Sequence, residues 1–300
     1  MTDDYTTDPA WAALFAKPEQ AQDLRWGREH LVFAAADPVR ELVTREKIEH
    51  WLVYGNLRYP QLTVSYGGDA APVTTFTRSR TLNQHQLTGC AHADDIGEHL
   101  ERGATLVLSN MEHYDPQAAR LCRDIGAAVS GSTQTYAYLT APGRFGSRPH
   151  RDSADVFAVQ VEGTKEWTLY DLPDGGDWNR GYIEEDTPVS AKVVLEPGDA
   201  IYVPSGLGHR AQAGPEGSLH LTMSIGVPRV HQVIDVLAED LRSRFNRNEA
   251  LPPGQPGRTE IVAEALRRMA TAIEEADPAA IAGALVRPNP WPVEPRRLPW

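Results

Sequence analysis

The spacing of hydrophobic and polar positions changes several times along the chain. Apolar residues recur at helical intervals over Asp8 to Phe15 and over Asp37 to Trp51, then alternate over Gln61 to Tyr66, which predicts helices followed by a strand. Ala93 to Arg102 predicts a further helix and Thr105 to Ser109 a strand. Another helix is expected after Pro116, entered near Asp115 as its N-cap. The period then becomes that of strands. Asp155 to Val161 (DVFAVQV) is strongly β-forming, and Glu162-Gly163 reads as a turn. Lys165 to Tyr170 alternates, with Lys165, Trp167 and Leu169 on one face. Pro197-Gly198 is a tight turn, Ala200 to Val203 a short strand and Pro204 to Gly208 a loop. Ser218 to Ile225 alternates again, with Leu219, Leu221, Met223 and Ile225 opposite His220, Thr222 and Ser224. Helical spacing returns over Val230 to Asn246, Thr259 to Glu275 and Pro278 to Leu285. Leu251 to Gly257 is a linker, and Pro288 to Trp300 is a Pro- and Trp-rich tail without a period.

These patterns divide the chain into three parts: a helical and mixed N-terminal region over 1–75, a strand-rich region over 76–228, and a helical region over 229–300. A hydrophobic fraction of 41% is ample for a core. The net charge of −12 argues against general nucleic-acid binding, which needs clustered Lys and Arg. It favours solubility first and is compatible with steering of a basic peptide or protein. No apolar run is long enough for a membrane span, and the acidic start (MTDDYTTDPAW) is unlike a signal peptide. Cys90 and Cys122 are too few for a disulfide framework, so a reducing cytoplasmic location is expected.

The residues that carry chemistry are His150-Arg151-Asp152 and, after a Pro-Gly-Asp turn and a short strand, His209. Two imidazoles and a carboxylate form the facial triad of non-haem Fe(II) oxygenases. Residues i and i+2 of a strand share a face, so His150 and Asp152 can grip one ion. His-x-Asp alone is weak evidence, and the chain contains a second copy, His113-Tyr114-Asp115. That copy runs straight into Pro116 and a helix, so it is read as a helix entry rather than as ligands. His209 is preferred as third ligand for its place after the turn-strand-Pro unit, with His220 left as an alternative. Lys165 falls on an apolar face, where an ammonium either meets an anion or snorkels to water.

The chain resembles the JmjC-type cupin oxygenases, in particular the cupin-4 branch that includes the ribosomal oxygenases. The likeness is carried by Tyr138-Leu-Thr-Ala-Pro-Gly143, Pro149-His-Arg-Asp-Ser-Ala-Asp-Val-Phe157, Gln160-Val-Glu-Gly-Thr-Lys-Glu-Trp167, Leu195-Glu-Pro-Gly-Asp-Ala-Ile-Tyr-Val-Pro204 with His209, and Ser218-Leu-His-Leu-Thr222. Weaker likeness reaches Trp26-Gly-Arg-Glu-His-Leu-Val32. The resemblance implies a mainly β fold, a double-stranded β-helix (cupin or jelly roll), over 76–228, with a C-terminal helical appendage. It implies Fe(II) held by His150, Asp152 and His209, with 2-oxoglutarate as co-substrate. Lys165 matches the basic residue for the distal carboxylate of 2-oxoglutarate, and Tyr138 a hydroxyl on the same group. Arg151 stands where the family usually has an aromatic or apolar residue, and Tyr136 where many members have asparagine, so the substrate is not carried over.

Three readings follow. The first is hydroxylation of an amino-acid side chain in a protein or peptide, consuming O2. The second is the same chemistry on a small or carrier-bound amino acid. The third is a non-catalytic ligand-binding cupin, which the triad with Lys165 argues against. Demethylation, by hydroxylating an N-methyl group, ranks below hydroxylation. No GxSxG, P-loop or CxxC competes. The last 70 or so residues are room for dimerising helices but scarcely for a winged helix as well.

Overall fold

A computed structural model of the chain describes residues 8–172, 178–245, 251 and 255–285. The strands are β1 (Leu31–Ala34), β2 (Leu62–Tyr66), β3 (Asp69–Ala70), β4 (Thr77–Leu82), β5 (His85–Ala91), β6 (Thr105–Ser109), β7 (Ser132–Thr140), β8 (His150–Arg151), β9 (Asp155–Tyr170), β10 (Gly181–Tyr182), β11 (Val189–Leu195), β12 (Asp199–Val203) and β13 (Gly208–Gly226). The helices are α1 (Pro9–Ala12), α2 (Asp37–Arg40), α3 (Arg45–Tyr54), α4 (Ala93–Glu101), α5 (Pro116–Ala128), α6 (Gln232–Arg244), α7 (Gln255–Glu274) and α8 (Pro278–Leu285).

One antiparallel sheet runs β1-β12-β9-β13-β7-β6-β2-β3, with β11 also on β9, and β8 joining β13 to β10. β4 and β5 form a separate hairpin. The long strands β9 and β13 build the jelly roll. They pair with each other along nearly their whole length, while β9 takes β12 as its other neighbour through Val156 to Val159 and β11 through Lys165 to Tyr170. The turn expected at Glu162-Gly163 is therefore a bend inside one continuous strand. Gly163 has φ +65°, and a Cβ there would run into the Gly217 backbone of β13. A residue without a side chain lets both strands bend together at that corner. From Asp155 to Gln160 β9 is buried without alternation, because neighbouring strands flank it on both edges and both of its faces are covered.

The N-terminal region extends this sheet: β1 pairs with β12 and β2 with β6. Trp11 and Phe33 seat against Phe157 of β9, with ring centroids 5.0 and 6.0 Å apart. The helices here are shorter than the hydrophobic spacing predicts. The stretch from Asp37 divides into α2 and α3, because Thr44 adopts extended backbone and caps a new helix by accepting from the Lys47 amide. α1 stops at Ala12, and Phe15 bridges to Ala35. Asp115 caps α5, accepting from the Gln117 and Ala118 amides at 2.9 and 2.8 Å.

The chain divides into two compact units, the first running to Gly226 and the second starting at Val227. In the second, α6 packs against α7 and α8, and the Arg268 guanidinium lies over the Phe245 ring. Of the expected linker, 252–254 lie outside the described residues, and its last three residues belong instead to α7, which starts at Gln255; all of the Pro- and Trp-rich tail (288–300) also lies outside the described residues. Among the described residues no helix is long and apolar enough to cross a membrane. Cys90 and Cys122 are buried free thiols. Burial, with Glu112 nearby, pushes the Cys122 thiol up to about 12.

Candidate metal centre and co-substrate pocket

His150 and His209 are directly opposite each other where β8 pairs with β13. Their rings lie 4.4 Å apart, and Asp152, two residues on, shares the face of His150. The Asp152 Oδ2 is 3.8 Å from His150 Nε2 and 3.6 Å from His209 Nε2. Ligand atoms of all three lie within 4.8 Å of one another, and this is the only such His/Cys/Asp/Glu group among the described residues. His113 lies elsewhere, at the end of a short 3-10 turn beside Glu112.

The proton positions suit a cation. His150 Nδ1 faces the Arg148 carbonyl at 2.9 Å, and His209 Nδ1 faces the Leu207 carbonyl at 3.1 Å. A carbonyl only accepts, so each Nδ1 carries its hydrogen, and the other ring nitrogen, Nε2, is the one turned toward Asp152. His209 is 5% exposed. Burial and His150 draw its pKa down to about 4 against the raising effect of Asp152 and the Leu207 carbonyl, so it is neutral at pH 7. Two imidazole nitrogens and a carboxylate oxygen converging within 4.8 Å of one another fit a divalent metal.

The loop that delivers His209 is fastened from beneath. Asp155, buried, accepts from Tyr202 Oη at 2.6 Å and from the Ser205 amide at 3.2 Å. The Gly206 amide donates to the Asp152 carbonyl at 2.9 Å, and Arg151 donates to the carbonyls of Gly206 and Asp171 at 2.6 and 3.0 Å. Arg151, between His150 and Asp152 on the opposite face of its strand, thus ties the His-x-Asp segment to the loop before His209. Gly206 has φ +85°, and a Cβ there would collide with the Trp178 ring.

Beside these three residues lies a cavity of about 130 Å³ lined by Tyr138, Lys165, Trp167, Ala211 and His220 as well as His150, Asp152 and His209. Lys165 is 1% exposed. Its Nζ donates to Thr140 Oγ1 at 3.2 Å and contacts His220 Nδ1 at 3.1 Å. No carboxylate pairs with it among the described residues. Burial alone pulls its pKa from 10.5 to about 7. Lys165 therefore stays inside rather than snorkelling, and its charge lacks a counter-ion. Tyr138 reaches the same cavity, and burial, reinforced by the Asp152 carboxylate, holds its phenol protonated. His220 is not with the triad; it stacks on Tyr138, centroids 4.8 Å apart and planes 6° from parallel.

A second, outer cavity of about 480 Å³ shares Tyr138, His150 and Asp152 and is otherwise lined by Gln134, Tyr136, Arg180 and Tyr182, among others. Sequence reasoning passed over Thr140, Asp155 and Ser147, whose hydroxyl is 3.1 Å from His150 Nδ1. Thr140 alone had a usable signal, lying two residues from Tyr138 on a strand and hence on its face.

Residues 107–233 match the JmjC domain family. The chain is 29% identical over 210 residues to the bifunctional lysine-specific demethylase and histidyl-hydroxylase NO66 of Aedes aegypti, covering 67% of this chain and 32% of that protein. It is 26% identical over 224 residues to ribosomal oxygenase 1 of Gallus gallus, covering 71% and 36%. It thus spans about a third of the length of these curated relatives. The fold is similar to that of the Escherichia coli ribosomal oxygenase YcfD, solved in complex with cobalt and 2-oxoglutarate, with TM-score 0.54, 16% identity, and 86% of this chain and 67% of that one covered.

Proposed function

We propose that the protein is an Fe(II)- and 2-oxoglutarate-dependent oxygenase that hydroxylates an amino-acid side chain in a protein or peptide. The observation that carries this is the pairing, in one cavity, of three converging atoms of metal-ligating type with a buried ammonium that has no carboxylate partner among the described residues. His150, Asp152 and His209 would hold the iron and leave positions free for other ligands. When bound, Fe(II) with 2-oxoglutarate supplies the oxidising chemistry: a C–H bond, O2 and 2-oxoglutarate become C–OH, succinate and CO2. The protein's own residues do the rest. Lys165 and Tyr138 receive the distal carboxylate of the co-substrate as donors. Trp167 and Val156 line the inner cavity with apolar surface. The outer cavity, opening onto the triad past Tyr136 and Tyr182, receives the side chain to be oxidised.

Its size and its contact with the triad favour a residue presented by a larger chain over a small free amino acid. The names of the NO66 relatives carry both hydroxylation and demethylation, and in a demethylation the hydroxylated N-methyl carbon would leave as formaldehyde. The deciding experiment is succinate formation by purified protein with Fe(II), 2-oxoglutarate, O2 and a peptide library, with His150→Ala as control. Succinate formation and a mass gain of one oxygen on a peptide, both lost in the control, support the proposal. Formaldehyde release instead redirects it to demethylation. A protein that binds metal and 2-oxoglutarate but turns over with none of the peptides returns the ligand-binding cupin.

A further inference from the structure

His220 is buried beside the triad but belongs to no metal set, and its contacts are specific. Its Nδ1 lies 3.1 Å from Lys165 Nζ, one face stacks on Tyr138, and its edge meets Trp167 at 6.0 Å and 78°. Trp167 in turn stacks on the ligand His209 with centroids 5.7 Å apart. Position 220 pairs with Tyr138 across β7 and β13, so the ring is pinned from the side by the sheet itself.

An ammonium has only donors, so the Nδ1 facing it must accept, and the imidazole must be uncharged with its hydrogen on Nε2. Burial, and then the neighbouring Lys165, hold the pKa of His220 well below its ordinary value, in agreement with that assignment. Thr140 supplies the second acceptor. Lys165 is thus held by two neutral acceptors at 3.1 and 3.2 Å, which fix where the ammonium points without spending its charge. A carboxylate in either place would form an ion pair and compete with an incoming anion.

We propose that His220 is a positioning residue for co-substrate binding: as a neutral acceptor it aims the Lys165 ammonium at the distal carboxylate of 2-oxoglutarate. This rests on the oxygenase reading above. The test is 2-oxoglutarate affinity measured by calorimetry on Co(II)-loaded protein, without turnover. His220→Leu removes the acceptor and is expected to weaken binding about tenfold, as one hydrogen bond to a charged group suggests. His220→Asn, whose amide oxygen can take the place of Nδ1, is expected to restore most of the loss. On a Lys165→Met background His220→Leu should change affinity less than about twofold, because the group it positions is gone. Co(II) affinity should be unchanged in each variant.

An unaffected His220→Leu, or equal losses with and without Lys165, overturns the inference while leaving the oxygenase reading intact. If His220→Leu fails to fold, His220→Phe, which keeps a ring against Tyr138 but has no acceptor, is compared on the two backgrounds: a loss with Lys at 165 that vanishes with Met supports the inference, and no loss, or an equal loss on both, overturns it. Wild-type protein without affinity for 2-oxoglutarate overturns the oxygenase reading and this inference with it.

Discussion

Lys165→Met tests the centre of the reasoning. It keeps an apolar stem reaching as far as Cε and removes the ammonium of a residue that is 1% exposed and faces Thr140 and His220. A charge-assisted hydrogen bond to a buried carboxylate contributes about 2–3 kcal/mol, so 2-oxoglutarate should bind about 30- to 150-fold more weakly. The pH dependence gives a sharper signature. Burial sets the empty-site pKa at about 7. The dianion binds the protonated form and raises that pKa, so binding takes up a proton. Wild-type affinity therefore falls as pH rises above 7, by roughly 15-fold between pH 7 and 8.5, whereas Lys165→Met should be flat across that range. Stability of the empty protein runs the other way. With the folded pKa near 7 and the unfolded value at 10.5, the unfolded chain holds the proton longer, so stability rises with pH between those limits. Met removes that slope. Calorimetric titration of 2-oxoglutarate at the two pH values, with thermal melts of the empty protein, reads all three effects. Wild-type affinity in Lys165→Met, or an unchanged pH dependence, would refute the assignment of Lys165.

His150→Ala and Asp152→Ala should each abolish tight Fe(II) or Co(II) binding and all succinate formation, while His113→Ala leaves metal affinity intact; a metal loss in His113→Ala would show that the helix entry had been misread. Gly206→Ala should lower stability by about 1–3 kcal/mol and weaken metal binding, because φ +85° and the Trp178 ring both resist a Cβ; a melt and metal titration that match wild type would dissociate the loop from His209. The helical unit exposes Ile234, Val262, Leu266 and Ile273, and we read it as the meeting place of two copies. Sedimentation of the full chain should show a dimer that Leu266→Lys weakens, and a wild-type monomer at tens of micromolar would refute that reading.

The site was more legible than the fold around it. A strand's period of two puts His150 with Asp152 and Lys165 with Trp167 without knowledge of anything distant. What the sequence could not carry was the pairing partner. The Cα-level juxtaposition of His150 and His209 depends on the two-residue strand β8 docking on β13, which no local pattern announces. The bend at Gly163 failed for a related reason. A glycine after an acidic residue signals a turn, but here the chain on both sides keeps the same neighbour, β13, so it bends and continues as strand. His220 was placed on the correct face by alternation, with Thr222 and Ser224. Its partner Lys165 is no pairing neighbour, since β13 sets His220 opposite Gln160 and Ala213 opposite Lys165, so without the folded sheet the residue looked like a spare ligand. Helix lengths near the N-terminus were overread because Thr44 serves as a cap in the middle of a continuous amphipathic pattern.

The charges of the pocket explain why its other groups are kept neutral. A divalent ion beside Asp152, with Lys165 protonated, leaves two positive charges, and the dianionic co-substrate balances them. Cationic His209 or His220 would spoil that balance, and burial holds both uncharged at pH 7. The argument predicts discrimination by charge rather than by size. 2-Oxopentanoate has the same five-carbon chain and the same chelating end as 2-oxoglutarate, and lacks only the second carboxylate. It leaves Lys165 unmatched, so Co(II)-loaded wild-type protein should bind it about 30- to 150-fold more weakly than 2-oxoglutarate. In Lys165→Met the order should narrow or reverse, since the dianion would then bring an unmatched buried carboxylate. Equal affinity of wild type for the two oxo acids would show that Lys165 does not read the distal carboxylate, and that its burial without a counter-ion serves some purpose other than co-substrate binding.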